Sequence, residues 1–253
     1  MIQITCSFFS ENLGREVPLQ ALLPKTAGWD SPCPVLYLLH GLTDNGTSWL
    51  RRTSLERYAD DHNLAIVMPD AARSFYCDMA GGDRYLTFVG EEVVDFCERV
   101  LPISRDRRYI AGNSMGGYGA CKIALRYPGR FSKVGTFSGV LDVQSMVDRF
   151  PELNRDWQLC FGGLKVPRQE DVLWLLLQGK KTDALPEIYQ YCGSEDFLAG
   201  ENQTFLELCR RENIPLTVSW EEGGYHDWPC WIGRCLPFWS GWRRIADAMP
   251  YLR

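Results

Sequence analysis

Arg108-Tyr109-Ile110-Ala111-Gly112-Asn113-Ser114-Met115-Gly116-Gly117-Tyr118-Gly119 is the stretch on which the reading of this chain turns. A short apolar run leads into a serine held between two glycines, and the helix-compatible Ala120-Cys121-Lys122-Ile123-Ala124-Leu125 follows. Strand, sharp turn and helix in that order are the layout of a nucleophile elbow. Its glycines let the backbone reverse, and its serine hydroxyl stands clear at the top of a sheet. The unpaired amides and positive dipole end of the helix then lie where an alkoxide or tetrahedral oxyanion develops. The pentapeptide by itself also suits a flexible Gly/Ser turn, so its meaning depends on the sequence around it.

Outward from the elbow, the first 25 residues read as two strands joined at Glu11-Asn12-Leu13-Gly14-Arg15, the second over 17–23, suited to an antiparallel edge. The rhythm then changes to buried strand followed by helix. Continuous apolar runs predict strands over 35–39 and 64–68, and further strands are expected over 134–138, 188–192 and 216–220. Helices are expected near 53–61, 90–100, 118–126 and 202–212. Such alternation implies the α/β class: a mostly parallel central sheet with helices on both faces. One interval breaks the rhythm. Residues 140–187, rich in Trp, Leu, Arg and Gly, are too long for an ordinary loop and read as a small helical insertion over the strand ends. It either shapes a pocket or packs away from one.

A chain of 253 residues with 45% hydrophobic and 23% charged residues buries a large core and fits one α/β domain, 1–253. Net charge is −5 and the basic residues are scattered, which argues against a nucleic-acid or anionic-membrane partner. The opening residues show no basic-then-apolar leader, and no apolar run reaches the roughly 18 residues of a membrane span. A cytoplasmic protein is the expectation. Ten cysteines are spread along the chain without C-x-x-C or zinc-type spacing, and Cys97, Cys121 and Cys209 fall in helix-like patterns as small apolar residues. Reduced thiols and no metal site follow.

A serine nucleophile needs a base, and the chain has three histidines. His62 sits in the charged turn Asp60-Asp61-His62-Asn63 and reads as a solvated surface residue. His40 closes the buried run 35–39 and precedes Gly41, where the chain turns. His226, in Gly223-Gly224-Tyr225-His226-Asp227-Trp228, follows the last expected strand and is the candidate base. The chain order Ser, acid, His places the carboxylate between the other two. Asp196 in Cys192-Gly193-Ser194-Glu195-Asp196-Phe197-Leu198 is the first choice, Glu195 the alternative and Asp142 a third. The carboxylate's task is to fix the imidazole tautomer and stabilise the imidazolium. Two backbone amides should hold the oxyanion: Met115, directly after the serine, and Leu42, in His40-Gly41-Leu42-Thr43-Asp44-Asn45-Gly46. Trp49, Tyr76, Tyr225 and Trp228 lie on loops expected at the same end of the sheet and are candidates to line a substrate pocket, though aromatics are as often core. Asp44 and Asn45 also suit simple turn positions.

Taken together, these blocks resemble the esterase D branch of the α/β-hydrolase family, and most of all its bacterial tributyrin esterases. The matching text includes Leu38-Leu39-His40-Gly41-Leu42, Thr47-Ser48-Trp49-Leu50-Arg51-Arg52-Thr53, Val67-Met68-Pro69-Asp70, the elbow, Tyr191-Cys192-Gly193-Ser194-Glu195-Asp196-Phe197-Leu198 and Gly224-Tyr225-His226-Asp227-Trp228. The resemblance implies hydrolysis of small carboxylic esters through an acyl-enzyme, with Ser114, Asp196 and His226 as triad, Leu42 and Met115 as oxyanion amides, and no metal or organic cofactor. The same branch holds S-formylglutathione hydrolases, feruloyl and acetyl-sugar esterases and, more distantly, acyltransferases. Its formylglutathione enzymes carry S-G-L-T-C where this chain has His40-Gly41-Leu42-Thr43-Asp44, which favours the general esterase. A non-catalytic binding protein on the same fold is the rival from another class. Members of the branch form dimers or tetramers, and the sequence leaves a homo-oligomer open.

Overall fold

The long apolar runs pair side by side. β3 (Cys33–Leu39), β4 (Ala65–Pro69), β5 (Ile103–Asn113), β6 (Lys133–Phe137), β7 (Glu187–Gly193) and β8 (Leu216–Glu221) make the parallel part of an eight-stranded sheet. β1 (Ile2–Ser10) and β2 (Arg15–Leu23) add an antiparallel edge, giving the order β1-β2-β4-β3-β5-β6-β7-β8. This computed structural model describes residues 1–232; the remainder of the 1–253 range read as one domain lies outside the described residues.

Central strands in a parallel sheet are covered on both faces, and that is why β3 and β4 read as unbroken apolar sequence. Val35, Leu36, Tyr37, Leu38 and Leu39 are all buried, as is every residue of β4. Truncating one of them, as in Leu36→Ala, costs about 2–5 kcal/mol. The covering helices are α1 (Ser48–Arg52), α2 (Leu55–Asp61), a helix running from α3 (Tyr85–Thr87) through a π turn (Phe88–Glu92) into α4 (Val93–Val100), then α5 (Met115–Arg126) and, between the last two strands, α9 (Ala199–Arg211). Between β6 and β7 come α6 (Val143–Arg149), α7 (Asn154–Phe161) and α8 (Val172–Lys181), with short 3-10 turns at Pro151–Leu153 and Arg168–Glu170.

Two differences from the expected elements have physical causes. β5 begins well before the apolar run, because the polar stretch Ser104–Arg108 continues the strand where its side chains are largely exposed. The helix expected over 53–61 starts at Leu55 as α2, and a separate short helix, α1, precedes it, since Thr53 takes an extended conformation and closes α1 with its hydroxyl donating to Trp49 O at 2.7 Å. Among the described residues the cysteines are free thiols, and no helix is long and apolar enough to cross a membrane.

Candidate active site

β5 delivers Ser114 to the carboxyl end of the sheet. Ser114 has φ +54° and ψ −120°, a region that L side chains avoid and that costs on the order of 1–3 kcal/mol. The surrounding glycines make the shape possible: a Cβ on Gly112 would come within 2.5 Å of the Gly116 carbonyl carbon. The first turn of α5 is thereby pressed against the end of β5, and the turn is pinned by Ser114 N donating to Phe137 O at 2.9 Å.

His226 lies on the loop after β8, with Asp196 on the loop after β7. These loops meet because Gly193 and Gly224 have no side chains; a Cβ on Gly193 would fall 2.1 Å from Gly224 O. Ser114 Oγ donates to His226 Nε2 at 3.0 Å, and His226 Nδ1 donates to Asp196 at 2.9 Å (Oδ1) and 3.0 Å (Oδ2). The Asp196 side chain is fully buried and also accepts from Leu198 N at 2.8 Å, so one carboxylate is fixed by backbone and imidazole together. Phe197 packs on the imidazole with ring centroids 4.3 Å apart, and Trp231 meets it edge-on at 5.0 Å while its indole donates to Ser138 Oγ at 3.0 Å. The ring is therefore held in plane between a hydroxyl and a carboxylate, a relay able to carry a proton from Ser114.

The alternative acids stand apart. Glu195 is exposed, and Asp142 caps α6 by accepting from Ser145 N at 3.1 Å. His62 is exposed at the end of α2. His40 has a different task. Its Nδ1 donates to Gly41 O at 2.8 Å while Nε2 accepts from Ala71 N at 2.9 Å, so both nitrogens are used as a neutral imidazole. Burial lowers its pKa from the ordinary histidine value, in keeping with that role. The ring ties the loop carrying Leu42 to the loop after β4.

Ser114 and His226 open into a cavity of about 430 Å³. Leu42 and Met115 both line it, and Met115, as the first residue of α5, presents an amide without an intrahelical acceptor. The cavity lining includes the apolar Phe75, Val140, Met146 and Phe197 and the charged Asp44, Arg52 and Asp227. Val140 and Met146 belong to the segment between β6 and β7, so that segment reaches the site. Among the described residues no group of His, Cys, Asp and Glu is arranged to hold a metal ion.

Comparison with known proteins gives this geometry a context. The sequence profile of the family described as Putative esterase matches residues 10–235. The chain belongs to that family. An acetyl esterase of Caldicellulosiruptor saccharolyticus is 30% identical over 250 residues, 89% of this chain and 92% of its own. Among solved structures, the fluorophosphonate-binding serine hydrolase F of Staphylococcus aureus is 32% identical with a TM-score of 0.87, covering 95% of this chain and 97% of that one. An S-formylglutathione hydrolase of Staphylococcus aureus is 31% identical with a TM-score of 0.84, covering 95% and 98%. The chain is thus a serine carboxylic ester hydrolase with the α/β-hydrolase fold.

Of the four aromatics expected to line this esterase's pocket, Trp228 does so, with the Arg52 guanidinium 5.4 Å above its ring. The other three need correction. Trp49 is buried; its indole donates to Leu39 O at 3.0 Å and its ring supports Trp228 from behind at 4.9 Å. Tyr76 is buried against α5, and its hydroxyl donates to His40 O at 2.9 Å. Tyr225 is 59% exposed and lies outside the cavity wall. Sequence reasoning missed Phe75, Phe197 and Trp231. Phe197 carried a signal, since it adjoins Asp196. Phe75 carried none: it and Tyr76 are adjacent, fully buried aromatics with nearly the same left-handed φ, +47° and +51°, and of the two Phe75 borders the cavity.

Proposed function

We propose that Ser114, His226 and Asp196 are nucleophile, general base and orienting acid in the hydrolysis of short-acyl carboxylic esters, with the amides of Leu42 and Met115 receiving the oxyanion. The observation that carries this reading is the unbroken hydrogen-bond chain from Ser114 Oγ through His226 to the buried Asp196, with Ser114 and His226 lining the cavity. His226 Nε2 takes the Ser114 proton as Oγ attacks the ester carbonyl. The tetrahedral oxyanion collapses to an acyl-enzyme, and the alcohol leaves with the proton that His226 returns. Water then adds to the acyl carbon with His226 again as base, releasing the acid and restoring Ser114. Each oxyanion amide contributes a factor of about 10²–10³ in kcat.

The preference for short acyl groups is supported by the acetyl esterase relative, and the apolar residues Phe75, Val140, Met146 and Phe197 in the cavity lining suit a small acyl chain. A thioesterase acting on S-formylglutathione is the second reading, favoured by the 31% identical hydrolase of that name. Asp44, in place of the cysteine typical of that type, speaks against it. A cytoplasmic setting agrees with the free thiols of the described cysteines. The test is kcat/KM measured side by side for acetyl, butyryl and hexanoyl aryl esters and S-formylglutathione. Highest values for the acetyl and butyryl esters support the first reading, and a hundredfold or greater advantage for the thioester replaces it with the second.

A further inference from the structure

The loop after β4 is strained and has to be held. Ala72, Phe75 and Tyr76 lie at φ +48°, +47° and +51°, a region that side chains disfavour, so the loop keeps its shape only where its surroundings enforce it. It also touches the site twice. Phe75 forms part of the apolar cavity wall, while Ala71 and Tyr76 hydrogen-bond to His40, directly before the loop that bears Leu42.

What enforces the shape comes from α5 and from the segment between β6 and β7. Lys122 of α5 is fully buried, and its three ammonium protons have three acceptors: Phe75 O at 3.0 Å, Cys77 Sγ at 3.0 Å and Glu170 Oε2 at 2.5 Å. Glu170 belongs to the β6–β7 segment, and its backbone carbonyl accepts from Tyr118 of α5 at 2.8 Å. Phe75 packs on Trp157 of α7 with ring centroids 4.6 Å apart. At the surface, Arg73 Nε and Nη2 donate to the two oxygens of Asp156 at 3.0 and 2.8 Å. Burial opposes the Lys122 charge, and the adjacent Glu170 carboxylate offsets that opposition, so the ammonium holds its proton.

We propose that the buried Lys122–Glu170 pair is a positioning device for acyl selectivity: it holds the Phe75 carbonyl, and through it the Phe75 ring, in the wall of the cavity. The proposal rests on the ester-hydrolase reading. A buried ion pair is not needed for stability alone, because well-packed apolar residues of similar volume serve as well or better. Such residues offer no ammonium to the Phe75 carbonyl and leave it only the weaker Cys77 thiol, which donates to it at 3.3 Å, so the strained loop is then free to relax. The segment between β6 and β7 thereby sets the size of the acyl pocket through Glu170, in addition to the contacts of Val140 and Met146 with the cavity.

The experiment compares kcat/KM for acetyl and hexanoyl aryl esters in the wild type, Phe75→Ala, the packing-conservative double variant Lys122→Met/Glu170→Leu, and the triple combination. The ratio of the two values cancels the fraction of active enzyme, so a loss of folded protein does not move it. The double variant is expected to lower the acetyl-over-hexanoyl ratio about tenfold, chiefly through KM for the longer ester, in the same direction as Phe75→Ala and without adding to it in the triple variant. If the double variant does not fold, Glu170→Gln supplies the readout with a shift of about threefold. A wild-type ratio in a folded double variant, or in Glu170→Gln where that is the variant measured, with only a changed Tm, overturns the proposal. Failure of the ester-hydrolase reading looks different: the wild type then turns over neither ester, or Ser114→Ala retains the activity.

Discussion

His40 and His226 lie close to the same end of the sheet and do opposite things. His40 is 1% exposed, and both ring nitrogens are taken by backbone groups, so its proton is fixed and its ring works as a fastener between two loops. His226 faces the cavity with a carboxylate on one nitrogen and the Ser114 hydroxyl on the other, so its proton has somewhere to go. The residue type is the same in both places. The partners differ: backbone partners on both nitrogens fix a histidine's proton, and an acid paired with a hydroxyl leaves it placed to accept one.

The comparison breaks first at the relay. Replacing His226 with Ala is expected to lower kcat on the order of 10⁵–10⁶-fold, as is Ser114→Ala, because the relay acts as a unit. Steady-state kinetics on an acetyl aryl ester checks this, and a loss below a hundredfold moves the base elsewhere. Asp196→Asn, which keeps the shape and loses the tautomer control, is expected to cost about 10⁴-fold in kcat with a near-unchanged Tm. His40→Leu should behave differently. It leaves the Ala71 amide without its acceptor, which costs about 1–3 kcal/mol in denaturant unfolding. The kcat loss is expected to stay near tenfold, through a loosened Leu42 loop. A His40 variant as inactive as His226→Ala would erase the distinction between the two.

The smallest effect concerns pH. The folded-state pKa of His40 lies below its unfolded value, which is near 6.5, so the unfolded chain binds the extra proton first. Its contribution to stability is complete above 6.5 and is lost as pH falls through the folded pKa. Urea titrations from pH 7.5 down to 5 are expected to show a fall in unfolding free energy that His40→Leu lacks in part; parallel curves for the two proteins would contradict it.

Much of this was legible because the chemistry constrains sequence locally. The elbow needs glycine at 112 and 116 for close backbone approach, and the continuous burial of 35–39 leaves an apolar signature. His226 and Asp196 were legible by elimination and chain order. The cavity walls were not. Trp49 and Tyr76 read as pocket residues, but Trp49 donates to Leu39 O and Tyr76 to His40 O, so both serve as buried supports. Which aromatic of a loop borders the cavity is decided by partners distant in sequence, such as Trp157 for Phe75. Lys122 inside α5 was likewise invisible as a buried residue, since its carboxylate partner lies 48 positions away.

The central claim, that His226 activates Ser114, is tested most directly by peptide mapping after treatment with a fluorophosphonate. The expected result is one adduct, on Ser114, that forms rapidly in the wild type and is lost in a folded His226→Ala variant while persisting in His40→Leu. An adduct on another residue, or equal labelling of Ser114 without His226, would contradict the account.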